Sequence, residues 1–464
     1  MEIAKKLLAE NKPAAAFERL KEILATINPA DEWKVHELIS AAFADMCDAE
    51  GAVQANLRAA TADTILRDQR RHFSNYLFTL HYLPQVDAET LYDAAKIYNT
   101  LYRDVKPYSQ SYRLQATSYK LKIAFMAPHF LDSSAARFFE PLLTHYDHTK
   151  FFVTAWSLSR DEDDFTKKIR RSVDEYINAA EMSFAETAQK IADMNADIFF
   201  DLGGYTEGGA TLQIAGYHPA RVQISGIGYF DTTGLDAIDF YLTDNFLAKG
   251  NENFFTEKLL TLDAAFAFKP NKKMARAKEL LERTPHENFI FGCLNNFMKI
   301  TDEYLKCVRI ILNAVPNAKI IFRDTTPLKS RQTALYEKIK LAGLPIERVE
   351  VLRGRDEFFD DYAQIDLMLD TFPYTGGMMT ALAIYFGVPV LNLCGKLHSQ
   401  RLGADMLRLA GLENFIVTNT DDYINFAVNF AENPTKISPA EKLFDTENFV
   451  TNFYNRLEGI LQSV

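Results

Sequence analysis

The sequence predicts an α/β protein with two Rossmann-like, doubly wound halves behind an all-helical front. Three observations carry that reading. Residues 14–105 set apolar side chains at helical spacing. From Lys120 onward, short apolar runs take over in two series, separated by a charged stretch at 269–287. Within each series the runs alternate with helical patterns, which implies right-handed crossovers and parallel sheets. A chain of 464 residues holds two or three domains of ordinary size.

The front begins with MEIAKKLLAENKPAAAFERL, which reads as an amphipathic helix and lacks the apolar core of a secretory leader. AAAFERLKEILATI (14–27) continues the helical spacing. Residues 35–66 read as two helices about a turn at Asp48–Gly51, followed by SNYLFTLHYL (74–83) and ETLYDAAKIYNTLYRDV (89–105). Paired helices of this size fit a tetratricopeptide-like domain and a generic helical cap equally well. The first strand series is KIAFMA (122–127), FFVTAW (151–156), ADIFFDL (196–202), VQISGIG (222–228) and AIDFYLT (237–243). The second is NFIFGCL (288–294), AKIIFRD (318–324), VEVL (349–352), DLMLD (366–370), VPVLNL (388–393) and ENFIV (413–417). A last helix spans 438–462. The expected domains are therefore 1–112 (helical, with a connector), 120–268, 285–437, and a terminal helix at 438–464 packing on the α/β body.

Composition narrows the function classes. An apolar fraction of 48% supports real cores, and a formal charge of -11 argues against wholesale coating of nucleic acid. The four cysteines are scattered without CxxC spacing, which points to a reducing compartment. No apolar run reaches 18 residues, so no transmembrane segment is expected. These features predict a soluble cytoplasmic protein without a nucleic-acid partner. GxxxxGK[ST], GxGxxG after a strand, HExxH and GxSxG are all absent, and the nine histidines form no ligand cluster. Neither a metal nor a cofactor is expected.

Two Rossmann-like halves bring the carboxyl ends of both sheets to one cleft, where such sheets bind ligands. That body favours a glycosyltransferase of the GT-B type. Two-domain synthases, epimerases and periplasmic binding proteins stay open on topology alone. Candidate residues lie after the strands. In APHFLDSSAARFFEPLL (127–143), His129 follows a strand end, and Asp132, Ser133 and Ser134 are placed to cap a helix. In DLGGYTEGG (201–209), Gly203 and Gly204 permit close backbone approach or serve a turn needing positive φ. GIGYFDTTG (226–234) offers Tyr229 and Asp231. GCLNNFMKITDEYL (292–305) offers Asn295, Asn296 and Lys299, with Thr301 as a cap; a lysine there meets a diphosphate as a point charge. In DTFPYTGGMMTALAIY (370–385), Gly376 and Gly377 precede a helix starting near Met378, whose backbone N–H groups suit a diphosphate. Met378 and Met379 line a pocket or pack a core.

These motifs, in this order, resemble the catalytic region of the O-linked N-acetylglucosamine transferase and SPINDLY family. LDTFPYTGG (369–377), ALAIYFGVPVLNLCG (381–395), RLGADML (401–407), KIAFMAPHF (122–130), DLGGYT (201–206), ARVQISGIGYFDTTGLDAIDFYLTD (220–244) and GCLNNFMKIT (292–301) carry the resemblance. SNYLFTLHYLPQVDAETLYDAAKIY (74–98) resembles the helical connector of bacterial members. The resemblance spans about residues 70–430. It implies a GT-B fold behind tetratricopeptide repeats, and metal-free transfer of a sugar, from UDP-GlcNAc or another UDP-hexose, to protein Ser or Thr hydroxyls. It also implies donor contacts at Asn295, Lys299 and the Val351–Arg355 backbone; with the glycine turn and helix start, the expected donor site is Asn295, Lys299, Val351, Leu352, Arg355, Tyr374, Gly376, Gly377, Met378 and Met379. The acceptor or sugar pocket would hold Ser133, Gly203, Gly204, Tyr205, Tyr229 and Arg401.

The sequence also departs from the family pattern. Ser133 stands where the first-loop histidine is usual, and His129 where aspartate is usual. Phe358 replaces the histidine of an EH motif. Gly377, Met378 and Met379 replace a threonine-rich turn, Leu382 an acidic ribose partner, and Phe230–Asp231 a Pro–Gly pair. The resemblance implies Lys299 for the leaving diphosphate and demands no strong side-chain base; from their loops, His129 and then Asp231 are the candidate bases. The acceptor protein or peptide would enter beside the helical front, between His129 and Tyr229. The lost polar groups leave a second reading open: a noncatalytic protein that binds a partner or an active glycosyltransferase subunit.

Overall fold

A computed structural model describes residues 1–108, 120–282, 287–356 and 358–463. The expected domain limits at 112 and 285 lie outside these residues. The chain forms two compact units. The first joins Met1–Ala62, Thr79–Val86 and Pro270–Lys442; the second joins Asp63–Phe78, Asp87–Lys269 and Leu443–Val464. The helical front is thus divided between the units.

The front holds α1 (Glu2–Ala9), α2 (Pro13–Leu24), α3 (Glu32–Asp45), α4 (Ala49–Ala62), α5 (Leu66–Leu80) and α6 (Ala88–Thr100). The opening stretch is two helices rather than one. Asn11 takes φ 58°, and Pro13 sits at the start of α2, where its missing N–H costs nothing. Helices α1–α4 share a small core of Ala4, Leu20, Val35, Ile39 and Ala55. Between α3 and α4, Asp48 accepts the Gly51 N–H at 2.9 Å. A Cβ at Gly51 would lie 2.5 Å from the Phe43 ring, so glycine lets the two helices meet.

In the second unit the chain runs β1 (Leu121–Ala127), α7 (Ala136–Thr144), β2 (Phe151–Ser157), α8 (Asp164–Ser172), β3 (Glu175–Asn178), α9 (Phe184–Asp193) and β4 (Ile198–Asp201). It continues through α10 (Ala210–Ala215), β5 (Val222–Ser225), β6 (Phe240–Asp244), α11 (Asn245–Ala248) and β7 (Lys258–Leu262). All seven strands are parallel, in the order β3-β2-β1-β4-β5-β6-β7. The five expected strands form the centre. The two that the sequence pattern misses, β3 and β7, are the edges: β3 has no buried residue, and β7 buries only Leu260 and Leu262. The expected cap of α7 differs too: the helix starts at Ala136, and no side chain of Asp132, Ser133 or Ser134 is its N-cap. Asp132 instead pairs with Arg137 at 3.1 Å, and Ser133 Oγ reaches only the Ala136 N–H, at 3.4 Å.

The first unit adds α12 (Lys272–Leu280), β8 (Ile290–Cys293), α13 (Asp302–Ala314), β9 (Lys319–Arg323), α14 (Lys329–Leu341) and β10 (Val349–Leu352). It closes with β11 (Leu367–Leu369), α15 (Met378–Tyr385), β12 (Val390–Leu393), α16 (Leu402–Leu409), β13 (Ile416–Val417) and α17 (Thr420–Glu432). Its sheet is also fully parallel, ordered β10-β9-β8-β11-β12-β13. Thr301 caps α13, accepting the Tyr304 N–H at 3.1 Å. The two helix-flanked parallel sheets behind a helical front are the architecture the alternating pattern predicts.

The last helix, α18 (Thr446–Ser463), belongs to the second unit and starts eight residues later than the sequence pattern suggests. Its buried Phe453 ring lies 5.4 Å from that of Phe200 and 6.3 Å from that of Phe125, on β4 and β1. The Tyr454 hydroxyl donates to Leu142 O at 2.6 Å. Removing the Phe453 ring leaves a cavity against the central strands. Phe453→Ala should lower the stability of the second unit by about 3–5 kcal/mol, read as an earlier urea midpoint. An unchanged midpoint would mean α18 contributes little to that core.

Candidate functional site

The first unit gathers polar groups where β8 and β11 end. Asp370 follows β11 with 1% of its surface exposed. Its Oδ1 accepts the side-chain amide of Asn295 at 2.9 Å, the Thr371 N–H at 2.9 Å and the Gly376 N–H at 2.7 Å. Its Oδ2 accepts Asn392 Nδ2 at 2.8 Å and Thr380 Oγ1 at 3.2 Å. Burial pushes this carboxylate's pKa up, and Asn392, Gly376, Lys299 and Asn295 pull it back. The space around it is full. A Cβ on Gly403 would lie 2.5 Å from Asp370 Oδ2, and one on Gly376 would lie 2.9 Å from Oδ1.

Lys299 stands beside this turn, partly exposed. Its ammonium donates to Thr375 O at 2.6 Å and lies 3.9 Å from the centroid of the Tyr374 ring. Burial lowers its pKa to about 8, against the attraction of Asp370. Tyr374 is itself buried against His81 and Tyr82, at 5.9 and 5.4 Å between ring centroids. His81 Nδ1 lies 2.9 Å from Ser399 Oγ, and burial holds this ring neutral, with a pKa near 3. Helix α15 then begins at Met378. Its N-cap, Gly377, supplies no side chain, and a Cβ there would meet nothing within 4 Å. The first-turn N–H groups of α15 have no partner within the helix. Met379 is buried, its carbonyl accepting the Tyr362 hydroxyl at 3.2 Å, whereas Met378 is partly exposed.

Of the expected donor residues, Asn295, Lys299, Tyr374, Gly376, Gly377, Met378 and Met379 form this one cluster. Val351, Leu352 and Arg355 belong to the edge strand β10 and the loop after it, two strands from β8. The Val351 carbonyl accepts Gln332 Nε2 at 2.6 Å, and the Leu352 carbonyl accepts the Asp324 N–H at 3.1 Å. Arg355 is exposed and pairs with Asp360 and Asp361. Arg401 precedes α16 and donates to Gly395 O at 3.3 Å. Asn296, also singled out in the sequence, accepts from Arg331, which holds Asp324 at 2.5 Å and Ala44 O at 3.1 Å.

The second unit builds a parallel arrangement. Asp201, at the end of β4, accepts the Gly203 N–H at 2.9 Å, the Gly204 N–H at 3.0 Å and Ser225 Oγ at 2.6 Å. Gly204 takes φ 53°, and a Cβ there would fall 2.2 Å from that of Tyr229, so only glycine fits. Tyr229 packs on Tyr205 at 4.8 Å, and the Tyr205 hydroxyl donates to Thr233 O. Gly203 abuts Pro128, next to His129. His129 is partly exposed, and its Nδ1 accepts the Leu131 N–H at 3.3 Å. Its hydrogen bond and that of Ser133 stay within their own loop.

Asp231 is only 7% exposed. Burial, reinforced by the Glu257 carboxylate, pushes its pKa up to about 7. Glu257 in turn accepts Thr232 Oγ1 and the Thr233 N–H, both at 2.7 Å.

The two arrangements also contain Asp201, Thr375, Asn392, His81 and Tyr82, none of which is among the sequence candidates. Aspartate directly after an apolar run and before a glycine turn, in DLGGYT and DTFPYTGG, is the signal that finds the buried carboxylates. Nothing local marks His81 and Tyr82. Among the described residues, no group of three or more His, Cys, Asp or Glu side chains is placed to hold a metal ion. No described helix is long and apolar enough to cross a membrane.

Paired Rossmann-like sheets with tight polar turns at their strand ends define a body of the GT-B type. The profile of glycosyl transferase family 41 matches residues 95–284 and 273–447, well over half of the chain. The chain belongs to that family. It is 27% identical over 381 residues to the probable UDP-N-acetylglucosamine–peptide N-acetylglucosaminyltransferase SPINDLY of Solanum lycopersicum, covering 80% of this chain and 41% of the relative. It is 25% identical to the probable UDP-N-acetylglucosamine–peptide N-acetylglucosaminyltransferase SEC of Arabidopsis thaliana, covering 72% and 36%. The chain thus spans about two fifths of the length of the curated relatives it matches. A variant of the Thermobaculum terrenum O-GlcNAc transferase shares the fold, with a TM-score of 0.80 at 22% identity, over 97% of this chain and 83% of that one.

The Asp231 environment has a measurable pH signature. A carboxylate with a pKa of 3.8 in the unfolded chain and about 7 in the fold keeps its proton only when folded between those values. Stability therefore falls as pH rises from about 4 to about 7 and stays lowered above that. Asp231→Asn should raise the melting temperature at pH 8 and change it little near pH 4. An equal shift at both values would show that Asp231 is not held protonated.

Proposed function

We propose that this chain transfers a sugar from a nucleoside diphosphate sugar to a Ser or Thr hydroxyl of a protein or peptide. UDP-GlcNAc, the donor in the names of its relatives, is the first choice, with other UDP-hexoses next. Membership of glycosyl transferase family 41 supports the reaction class. The observation that carries the chemistry is Lys299, a cation in a water-poor setting beside the uncapped start of α15.

A diphosphate leaving group develops negative charge as the glycosidic bond breaks. A fixed ammonium and unpaired helix N–H groups stabilise that charge without reorganising. The open space at Gly377 lets phosphate oxygens approach the backbone, as a side chain there would not. In this scheme His129 acts as the base for the acceptor hydroxyl, because it reaches solvent whereas Asp231 is buried.

Calorimetry with UDP and with GDP tests the donor assignment. UDP should bind selectively, and Lys299→Ala should weaken binding at least tenfold and lower kcat about 100-fold or more. Affinity should fall as pH rises through about 8, where the free ammonium loses its proton. Unchanged turnover in folded Lys299→Ala would remove Lys299 from the mechanism. Selective GDP binding would reassign the donor, and binding of neither nucleotide with or without a peptide acceptor would favour the noncatalytic reading.

A further inference from the structure

A groove of about 770 Å³ opens in the first unit, and neither Lys299 nor any residue of the 370–380 turn lines it. One wall is the front, with Phe17 on α2 and Phe43 and Met46 at the end of α3. The other is the 82–85 loop and the start of α13. Both walls are largely apolar. The Phe17 and Phe43 rings are 4.8 Å apart and only partly buried, and Leu83 and Pro84 extend the surface.

The rim is acidic. Asp48 and Glu50 stand on one side and Asp302 and Glu303 on the other. Glu50, Asp302 and Glu303 are exposed. The cation in the lining, Lys338, donates to Cys47 O at 2.6 Å. Lys21, over the Phe17 ring, is paired with Glu18 at 2.7 Å. The starts of α4 and α13 each contribute roughly half a positive charge. Four carboxylates against one lysine and two helix starts leave about two negative charges around the apolar walls.

We propose that this groove docks a basic segment of a partner protein. An apolar or aromatic side chain seats against Phe17 and Phe43, and lysines or arginines beside it meet Glu50 and Glu303. Apolar contact supplies affinity, while exposed charge pairs supply preference and approach rate. A neutral apolar segment leaves the rim charge unmet, and an acidic one is repelled. The inference goes beyond the transfer reading and holds whether or not Lys299 binds a diphosphate.

The test uses the full chain and three fluorescein-labelled peptides of equal length, followed by anisotropy. The first peptide has leucine and phenylalanine at its centre, flanked by lysines. The second replaces the lysines with glutamates, and the third replaces the apolar pair with glycines. The first should bind, the second should not, and the third should bind at least tenfold more weakly. The double variant E50K/E303K, at exposed positions, should weaken the first peptide at least tenfold while its far-UV circular dichroism and UDP calorimetry stay as in the parent; its melting temperature should fall slightly, because both lysines enter the first turn of a helix. Phe17→Ala should weaken it as well. Raising salt from about 0.05 M to about 0.5 M should lower affinity, because the rim pairs are exposed. Equal binding of the first peptide to the parent and to E50K/E303K would overturn the proposal, since it would reflect general adsorption to an acidic protein. So would equal binding of the glutamate peptide, absence of binding by the first peptide, or a self-association in the ultracentrifuge that E50K/E303K abolishes.

Discussion

Asp370 is buried where β11 ends, and both of its oxygens are occupied by donors from four directions: Asn295 after β8, Asn392 on β12, Thr380 on α15 and the backbone of its own turn. A carboxylate removed from water this fully is tolerated only if hydrogen bonds replace its hydration. That requirement fixes the geometry of everything around it. The Gly376 N–H must point inward, which closes the turn and sets the start of α15. The Thr375 carbonyl is left to hold the Lys299 ammonium, and Thr375 Oγ1 accepts the Gly403 N–H at 3.1 Å, bringing in α16. Gly403 has to lack a side chain because Asp370 occupies its space. The second unit repeats the device with Asp201, whose carboxylate closes the Gly203–Gly204 turn.

Holding Lys299 in this way has an electrostatic consequence. Its ammonium has lost much of its water and rests on a carbonyl and the face of Tyr374, so its proton is held less tightly than that of a solvated lysine. A strong anion arriving there meets a charge that is fixed in place and weakly screened. The helical front takes part in that arrangement. His81 and Tyr82, just past α5, bury the Tyr374 ring, and Arg331 joins the Asp324 carboxylate to the carbonyl of Ala44 on α3. Within the first unit, then, the front supports the ring on which Lys299 lies.

The central strands and the helix that starts at Met378 were legible because they rest on local patterns: apolar runs, glycine pairs and caps such as Thr301. The edge strands β3 and β7 were not, since partial burial removes the continuous apolar run that marks an inner strand. The break between α1 and α2 was written in Pro13 but is easily hidden by the apolar period on either side. Motif order carried the family, and it drew attention to Asn295, Lys299, Tyr374 and Gly376, which the fold brings together. It could not reveal that His81 packs on Tyr374 across more than 290 positions of sequence, nor how the front is shared between the units. Contacts of that kind depend on packing between distant segments, which no local period encodes.

The departures at Met378, Met379 and Leu382 leave the backbone of the turn unchanged. Leu382 is fully buried and Met379 nearly so, so these side chains serve the packing of α15 against its sheet. What α15 offers to a ligand is its backbone, and backbone N–H groups do not depend on which side chains follow them. Replacing threonine hydroxyls by thioethers removes donors, yet it leaves the helix start, the open space at Gly377 and the Lys299 charge intact. In the proposed reaction the diphosphate would therefore be held by one fixed cation and peptide dipoles, with few side-chain hydroxyls. Such a site recognises charge and shape at the phosphates and leaves selectivity for base and sugar to other residues. At the end of β10 the Val351 and Leu352 carbonyls each accept one hydrogen bond, from Gln332 and Asp324, and each keeps a second lone pair. In the proposed reaction those carbonyls would remain open to a donor N–H of a nucleotide base, so nucleotide preference would be set at the edge of this sheet rather than by the side chains of α15.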